Sequence, residues 1–471
     1  MIAQAPCCTA AEVDETVAQA AEAYRTWSRT PVIRRTQVLF QFRELLMEHM
    51  DELTYILARE NGKVWEEARG DLLKVKEPVE LACGAPTLMM GESLMDTSFG
   101  YDTVLYREPL GVFAGIAPFN FPAMIPMGWM VPLCIATGNT MVIKASSTTP
   151  MTSMRLLELL EEAGLPQGVV SVLTTGRDNA QALLSDPRIK GVCFVGSTGA
   201  GLKIYSAAAA SGKRVQALCE AKNHALVMDD AVLERTAKGI INSAFGCAGE
   251  RCMALPVVVA QEGIADRLVE RLAELAGQLK VGCAYDKSSQ MGPVVTKKHM
   301  DSILDWIDTG LKEGARLALD GRDVQVPGYE NGYYIGPTIL DHVTPEMSAG
   351  RQEIFGPVLC VKRVKTFEEG VALINANPYA NGAVIYTQNG YYARNFARQI
   401  DGGMVGVNVG IPVPVGMFPF SGHKQSFFGD LHTLGKDGVR FFTENKVVTS
   451  TWFTEESNRE KVDTWDGSVG G

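Results

Sequence analysis

One long stretch of the sequence contains no charged residue, and it limits what kind of protein the chain can form. Between Glu108 and Lys144 it reads PLGVFAGIAPFNFPAMIPMGWMVPLCIATGNTMVI. Its length would suffice for a membrane-spanning helix. However, five prolines and two asparagines interrupt it, and these would break such a helix and leave polar groups unpaired in lipid. We therefore predict a soluble arrangement: a buried strand over GVFAGIAPF, a short buried helix around Met127 to Ala136, and a second strand at TMVIK.

The composition is that of a large globular protein. A chain of 471 residues exceeds what one hydrophobic core usually serves, so two domains are expected. A net charge of −10 without a basic cluster argues against nucleic acid or an anionic membrane surface as partner. The first residues, MIAQAPCCTAAEVDETV, lack the basic and apolar regions of a secretory signal. We therefore expect a cytoplasmic protein whose ten cysteines are reduced.

Helical and strand patterns alternate along most of the chain. After TMVIK come TSMRLLELLEEAGLP, VVSVLTT, DNAQALLSDP and IKGVCFVG, a succession typical of a parallel sheet with helices on both faces. A second alternating set begins at ALVMDD and continues through ALPVVVAQ to PVLCVKRV and GAVIYTQ. The pattern predicts two α/β domains.

A glycine-rich turn joins a predicted strand to a predicted helix in VGSTGAGLKIY. The N-terminus of such a helix, with Ser197 and free backbone N–H groups, can hold a pyrophosphate. The order of the glycines is not G-x-G-x-x-G, and such a turn is often structural only. Taken alone, it therefore indicates nucleotide binding weakly.

The stretch FGCAGERCMALP contains the best candidate for a nucleophile, Cys252. A neighbouring cation lowers the pKa of a thiol, and we expect Arg251 to do so for Cys252. The alternative is a buried structural thiol, which we expect Cys247 to be. No metal site is expected, because the Cys-x4-Cys spacing has no second cysteine or histidine pair. No histidine lies in a context that suggests a cysteine protease.

Seven motifs, in order along nearly the whole chain, carry a family resemblance. IAPFNFP, VIKAS, FVGSTGAG, AKNH, AGERCMA, EIFGPV and NPYANGAV resemble the motifs of the aldehyde dehydrogenase superfamily. Within it, QALCEAKNH, GVNVGIPVPVGMFPFSG and the ending GKDGVRFFTENKVVTSTW are most similar to the methylmalonate and malonate semialdehyde dehydrogenases, a branch that makes acyl-CoA.

The resemblance implies a mechanism and a set of site residues. The Cys252 thiolate would attack an aldehyde, hydride would pass to NAD or NADP, and the resulting acyl group would pass to coenzyme A. The Asn120 side chain and the Cys252 backbone N–H would stabilise the oxyanion. Lys144 would reach the adenosine ribose, Ser197 the pyrophosphate and Glu353 the nicotinamide ribose. The full set of implied cofactor positions is Ala117, Phe119, Lys144, Ser147, Thr148, Ser197, Glu353 and Phe355.

The sequence departs from the family pattern at the general base. Hydrolytic members carry a glutamate where this chain has Leu218, and its absence is in keeping with transfer of the acyl group to a thiol rather than to water. Glu220 stands where the family usually has glycine, and it could act as a base or merely fill space. The alternatives are therefore a hydrolytic aldehyde dehydrogenase and a catalytically idle binding homologue. The retained Cys252 and Asn120 argue against the idle homologue.

Two further departures concern the cofactor and the substrate. Ser147 replaces a glutamate that would repel a 2′-phosphate, so the choice between NAD and NADP stays open. Branch members hold a carboxylated substrate with two arginines, which correspond here to Arg251 and Lys74. A lysine pairs with an anion but lacks the bidentate fork of arginine. We therefore expect a small, anionic semialdehyde whose identity stays open.

The predicted fold is α/β and aldehyde dehydrogenase-like, with a Rossmann-type cofactor domain, an α/β catalytic domain and a β oligomerisation arm. Exposed strand edges on the arm invite pairing with another subunit, and the resemblance implies a homodimer or homotetramer. The predicted boundaries are residues 1–98 and 112–222 for the NAD(P)-binding domain, 223–436 for the catalytic domain, 99–111 and 437–456 for the arm, and 457–471 for a tail.

Overall fold

The structure is a computed structural model that describes residues 2–98 and 100–452. The predicted tail, and residues 99 and 453–456 of the predicted arm, lie outside the described residues. The helices are α1 Ala10–Trp27, α2 Val32–Glu48, α3 Met50–Asn61, α4 Trp65–Cys83, α5 Ala85–Leu88, α6 Val131–Ala136, α7 Met151–Glu162, α8 Arg177–Ser185, α9 Thr198–Ala210, α10 Leu233–Phe245, α11 Glu262–Gly277, α12 Lys297–Lys312, α13 Phe367–Asn375, α14 Gly390–Gln399 and α15 Gly435–Phe441.

The strands form three larger sheets and one two-stranded pair. They are β1 Ser93–Ser98, β2 Tyr101–Pro109, β3 Val112–Ile116, β4 Thr140–Lys144, β5 Val170–Leu173, β6 Ile189–Val195, β7 Arg214–Leu218, β8 His224–Val227, β9 Val257–Gln261, β10 Arg316–Leu319, β11 Thr338–Asp341, β12 Val358–Val364, β13 Tyr379–Ala380, β14 Gly382–Tyr386, β15 Met404–Val407, β16 His423–Lys424, β17 Phe427–Gly429 and β18 Thr443–Thr451.

The uncharged stretch is buried inside the protein. It forms β3, then a π-helical turn at Met124–Met130, then α6 and β4. Every residue of the turn and of α6 is buried. Prolines at positions 126 and 132 lack the N–H that a regular helix needs, in keeping with an irregular turn where a single helix was expected. Within the part of the chain that the structure describes, no helix is both long and apolar enough to cross a membrane.

The first sheet has the strand order β17-β7-β6-β3-β4-β5. All its pairs are parallel except β17 with β7. The chain adds β4 and β5 on one side of β3, and then returns to add β6 and β7 on the other. In open α/β sheets ligands bind at the carboxyl ends of the strands where the order reverses, and here that point lies between β3 and β6.

The second sheet has the order β10-β11-β12-β9-β8-β14-β15 and is parallel apart from β10. The chain crosses from the first sheet to the second between β7 and β8, through residues 219–223. Three other connections of the second sheet approach this crossover: the loop between α10 and β9, the loop between β11 and β12, and the start of β14. The crossover therefore lies between the two sheets.

The arm is an antiparallel sheet of β1, β2 and β18, with β18 pairing along the whole of β2. Most residues of β1 and β18 are exposed. The chain returns to the first sheet after the second is complete, because β17 pairs with β7. Residues 427–429 thus lie in the first sheet, although their sequence position had placed them with the catalytic domain.

Candidate active site

The loop that carries Cys252 has an unusual backbone. Between α10 and Cys252, three successive residues have left-handed φ angles: 52° at Cys247, 51° at Ala248 and 75° at Gly249. A Cβ on Gly249 would lie 2.1 Å from the carbonyl oxygen of Gly356. Glycine at this position therefore lets the Cys252 loop approach the loop between β11 and β12.

The backbone carbonyl of Cys252 accepts hydrogen bonds from two asparagine side chains, one of them in the crossover between the sheets. The Nδ2 of Asn223 donates to the Cys252 oxygen at 2.9 Å and to the Ala254 oxygen at 2.8 Å. Asn381, just before β14, donates to the same Cys252 oxygen at 3.5 Å. Because two asparagines from different connections bind its carbonyl, the backbone at Cys252 is held in position.

The Cys252 side chain is half-buried and packs against the core of the first domain. Burial raises the pKa of its thiol to about 12, and the Glu353 carboxylate raises it further. This net rise is opposite in direction to the drop predicted from Arg251, although the guanidinium and the Cys252 thiolate attract each other. The guanidinium faces elsewhere: Nε donates to the Cys247 sulfur at 3.1 Å, and Nη2 lies 3.1 Å from Oε1 of Glu67.

Glu67, on α4, ties the nucleophile loop to the first domain. Its Oε1 accepts hydrogen bonds from the Cys247 N–H at 2.7 Å and from Arg251. Arg251, predicted to bind a substrate anion, thus has a carboxylate partner in this structure. Lys74, the other predicted anion ligand, is partly exposed and pairs with Glu77 on the same helix at 2.9 Å.

Asn120 lies beside the nucleophile loop, as the oxyanion role requires. Its side chain is 4% exposed, and Nδ2 donates to the backbone oxygen of Glu250 at 3.1 Å. An amide nitrogen carries two N–H groups, so one remains for an oxyanion. The structure thus brings Asn120 next to the segment Glu250–Cys252, although 130 positions separate Asn120 from Glu250.

The loop around Asn120 is anchored through its backbone. Asn61 and Thr149 both donate to the carbonyl oxygen of Phe119, at 2.9 Å and 3.1 Å, and Ser153 donates to that of Pro122 at 2.7 Å. These side chains come from α3, from the turn before α7, and from α7 itself. The orientation of the Asn120 amide is therefore set by three separate parts of the first domain.

A buried ion pair also supports this loop. Lys63 Nζ and Asp71 Oδ2 lie 2.8 Å apart, with side chains 2% and 0% exposed. The other Asp71 oxygen accepts the Met124 N–H at 2.8 Å, and the Lys63 ammonium lies 3.5 Å from the centre of the Phe121 ring. Burial raises the pKa of Asp71. The sequence analysis missed this pair.

One face of α4 supplies three of these groups. Glu67, Asp71 and Lys74 are spaced four and three positions apart, so they share a face of the helix. This spacing, on a helix that is otherwise amphipathic, is the signal that could have identified Glu67 and Asp71. The partners of the Glu67 and Asp71 carboxylates, however, include residues distant in sequence.

Three rings meet beside the Asn120 loop. Phe119 and Phe355 stand edge to face with centroids 5.9 Å apart, and His299 lies 6.3 Å from each. The Nε2 of His299 donates to the carbonyl of Phe355 at 2.7 Å, and burial lowers the pKa of this histidine. Phe355 adopts φ = 60°, a costly conformation for an aromatic residue that its neighbours must hold in place.

Two glutamates close to the site retain their protons up to mildly basic pH. Glu353 accepts the Ala221 N–H at 3.0 Å, and burial, with a contribution from Glu220, raises its pKa to about 8. Glu250 is 4% exposed and accepts the Val295 N–H at 3.2 Å. Burial raises its pKa to about 8 as well.

The structure shows what the Glu220 side chain contacts. Its Oε2 accepts the backbone N–H of Thr198 at 2.9 Å, so the carboxylate caps the N-terminus of α9. In return, Thr198 Oγ1 accepts the Glu220 N–H at 3.3 Å. Leu218, two residues earlier, is 6% exposed and pairs with Phe427 in the first sheet.

A cavity of about 560 Å³ opens at the carboxyl ends of β3, β4 and β6, next to α8 and α9. Lys144 and Ser197, two predicted cofactor residues, line it together with apolar Ile116 and Phe194. The Ser197 side chain makes no capping bond with α9, and a Cβ on Gly199 would meet nothing within 4 Å. The free Ser197 hydroxyl, the open space beside Gly199 and the apolar walls fit the adenosine and pyrophosphate of a dinucleotide.

The remaining predicted cofactor residues lie nearby. Ala117 is buried, and its N–H donates to the Lys144 oxygen at 3.1 Å. Ser147 and Thr148 are exposed in the turn after β4 and are not part of the cavity wall. The assignment of individual residues to a cofactor stays a prediction.

Comparison with known proteins identifies similar chains. The sequence model of the aldehyde dehydrogenase family matches residues 1–448. A malonate-semialdehyde dehydrogenase from Geobacillus kaustophilus (strain HTA426) is 50% identical, covering 96% of this chain and 93% of the relative; one from Bacillus licheniformis is 49% identical with the same coverage.

Solved structures give the same result. A methylmalonate-semialdehyde dehydrogenase from Oceanimonas doudoroffii superimposes with a TM-score of 0.94 at 44% identity, covering 96% of this chain and 93% of that one. A Sinorhizobium meliloti 1021 protein assigned as a methylmalonate-semialdehyde dehydrogenase and complexed with NAD gives 0.94 at 43% identity, covering 95% and 91%.

Proposed function

This chain belongs to the aldehyde dehydrogenase family, and we propose that it oxidises a small anionic semialdehyde with NAD or NADP and transfers the acyl group from Cys252 to coenzyme A. Relatives named for malonate and methylmalonate semialdehyde support an anionic substrate. The observation that carries the choice of acceptor is that the buried, apolar Leu218 stands where hydrolytic members carry their base.

The first half of the reaction uses Cys252 and Asn120. The sulfur bonds to the aldehyde carbon, and the carbonyl oxygen becomes an oxyanion that accepts the remaining Asn120 N–H and the Cys252 backbone N–H. A bound oxidised nicotinamide supplies the hydride acceptor and a positive charge that favours the thiolate. When the oxyanion collapses to a carbonyl and hydride leaves, a thioester remains on Cys252.

The second half requires an acceptor for the acyl group. Glu220 is bonded to Thr198, Glu353 to Ala221, and Glu250 to Val295. The position where hydrolytic members carry their base holds the buried, apolar Leu218. A thiol ionises near pH 8.5, whereas water requires a pH near 15.7. A site without the usual base therefore suits the thiol of coenzyme A better than water.

The test is to follow NADH or NADPH formation at pH 8 with malonate semialdehyde, propanal and sulfoacetaldehyde, each with and without coenzyme A. We expect sustained turnover only with coenzyme A, a preference for the anionic aldehydes, and no turnover in Cys252→Ala. Asn120→Ala should retain the substrate KM and lose about 100-fold or more in kcat, as expected for an oxyanion donor. Equal sustained turnover without coenzyme A would contradict the proposed acceptor.

The assembly is also part of the proposal. Leu94 and Met95 on β1, and Val447 on β18, are more than 60% exposed, and both strands are sheet edges that can pair with another chain. These features support a homodimer or homotetramer joined through the arm. Light scattering after size-exclusion chromatography tests it, with Val447→Lys expected to weaken the association. A cytoplasmic location is proposed from the sequence alone.

A further inference from the structure

The cavity between α8 and α9 has a distinctive charge distribution. Three cations line it, Lys144 at the end of β4, Arg177 at the start of α8 and Lys203 on α9, whereas no carboxylate does. The chain as a whole has more acidic than basic residues, 54 against 44. The charged residues of the cavity wall are therefore all basic, although the chain as a whole is acidic.

None of these three cations has an ion pair or side-chain hydrogen bond within residues 2–98 and 100–452. Other basic residues of the same domain are neutralised: Arg188 pairs with Asp14 and Asp186, and Arg155 pairs with Glu52. Burial also lowers the pKa of Lys144. Unpaired like charges around one cavity are unfavourable in the free protein, and an anion bound among them relieves that cost.

The start of α8 adds backbone N–H groups to this wall, although Asp178 in its first turn carries the opposite charge. Arg177 is the first residue of α8, which no side chain caps, so the unpaired N–H groups of its first turn remain available. Lys203 lies four positions after Gly199 on α9, so it shares a face of the helix with the open glycine. The exposed Ser147, in the turn after β4, adds no negative charge.

We propose that this cavity binds an adenosine nucleotide that carries a phosphate monoester at the 2′ or 3′ position of its ribose, and that Arg177 and Lys203 pair with that phosphate. The inference rests on the proposed function, in which the same cavity takes the adenosine end of the cofactor. Two molecules of the reaction have this chemistry: NADP carries the phosphate at the ribose 2′ position, and coenzyme A carries it at the 3′ position. Plain NAD carries none.

The probes are three nucleotides that differ by one phosphate: 5′-AMP, adenosine 2′,5′-bisphosphate and adenosine 3′,5′-bisphosphate. Isothermal titration calorimetry on the full chain, at a pH where the monoester is a dianion, gives each dissociation constant. We expect at least one bisphosphate to bind about tenfold or more tightly than 5′-AMP, since charge-assisted bonds to phosphate are strong. A 2′ preference assigns the site to NADP, a 3′ preference assigns it to coenzyme A, and equal gains assign it to both.

Substitution identifies the residues responsible. The double variant Arg177→Gln/Lys203→Gln should lose the preference for the bisphosphate over 5′-AMP, in addition to the weaker 5′-AMP binding that the loss of two positive charges brings. The matched control is Arg394→Gln/Lys312→Gln, which removes the same charge at exposed positions on α14 and α12 and should keep the preference.

The outcomes separate the two proposals. If 5′-AMP binds but neither bisphosphate binds more tightly, or if the Arg177/Lys203 variant keeps the preference, the phosphate site is refuted while the dinucleotide cavity stands. If no nucleotide binds, 5′-AMP included, the cofactor role of the cavity in the proposed function fails with it.

Discussion

The Cys252 thiol of the free enzyme should react slowly with alkylating reagents at neutral pH. Burial, and then the charge of Glu353, raise its pKa from 9.0 to about 12. Below pH 9 the thiolate fraction is therefore about a thousandth of that in the unfolded chain. A more basic thiolate is intrinsically more nucleophilic, here by a factor of about 15 to 30. Alkylation should thus be about 30 to 70 times slower than in the unfolded chain.

The assay is a time course with iodoacetamide, followed by digestion and mass spectrometry of the peptide that contains Cys252. The reference is the same peptide from protein labelled in concentrated urea, and the exposed Cys7 reports on the reagent within each sample. Because the pKa lies above the accessible range, the rate should rise about tenfold with each pH unit up to about pH 10. A plateau below pH 9 would refute the reasoning.

The variant Glu353→Gln separates the two causes of the raised Cys252 pKa, namely the charge of Glu353 and burial. The carboxyl of Glu353 ionises near pH 8, so Glu353→Gln should label faster than the wild type only above that pH. Glu250→Gln is the matched control, because this carboxyl has the same pKa but is not a cause of the Cys252 shift. Equal acceleration in both variants would mean that a general loosening of the site is responsible.

Three further predictions concern stability and cofactor affinity. The raised pKa of Glu250 contributes stability that is lost between about pH 4.5 and pH 8, so urea unfolding should show Glu250→Gln gaining on the order of 5 kcal/mol over the wild type from pH 4.5 to pH 9. Lys63→Met leaves Asp71 buried without its partner and should cost about 3–5 kcal/mol in the same assay, most of it recovered by adding Asp71→Asn. Glu220→Gln removes a negative charge from the N-terminus of α9, so calorimetry should show NAD or NADP binding about two- to fivefold more tightly; weaker binding would contradict this.

The local elements follow closely from the pattern of residues. The run TMVIK is β4 at Thr140–Lys144, because a short β-branched and apolar run between polar turns forms a buried strand. The ordered motifs also led to the family, and they predicted Cys252 as the nucleophile with Asn120 beside it. The helix expected around Met127 to Ala136 was only partly correct, since the residues before Val131 form a π-helical turn.

The local pattern of residues did not predict the properties that depend on contacts distant in sequence. Adjacency suggested that Arg251 acts on Cys252, but Glu67, 184 positions away, turns the guanidinium toward the Cys247 sulfur. The role of Glu220 was undecided until Thr198 was seen to donate to its carboxylate. Each of these outcomes depends on which side chain folding brings near, and a local pattern carries no record of that.

The pattern of residues therefore predicted the α/β architecture, and the family resemblance predicted the reacting residues and a missing base at Leu218. The pKa of Cys252, the buried Lys63–Asp71 pair and the basic wall formed by Lys144, Arg177 and Lys203 were decided by tertiary packing. The physical reason is that desolvation and electrostatic interaction depend on distances and burial in space, and these are fixed only when the separate segments of the chain meet.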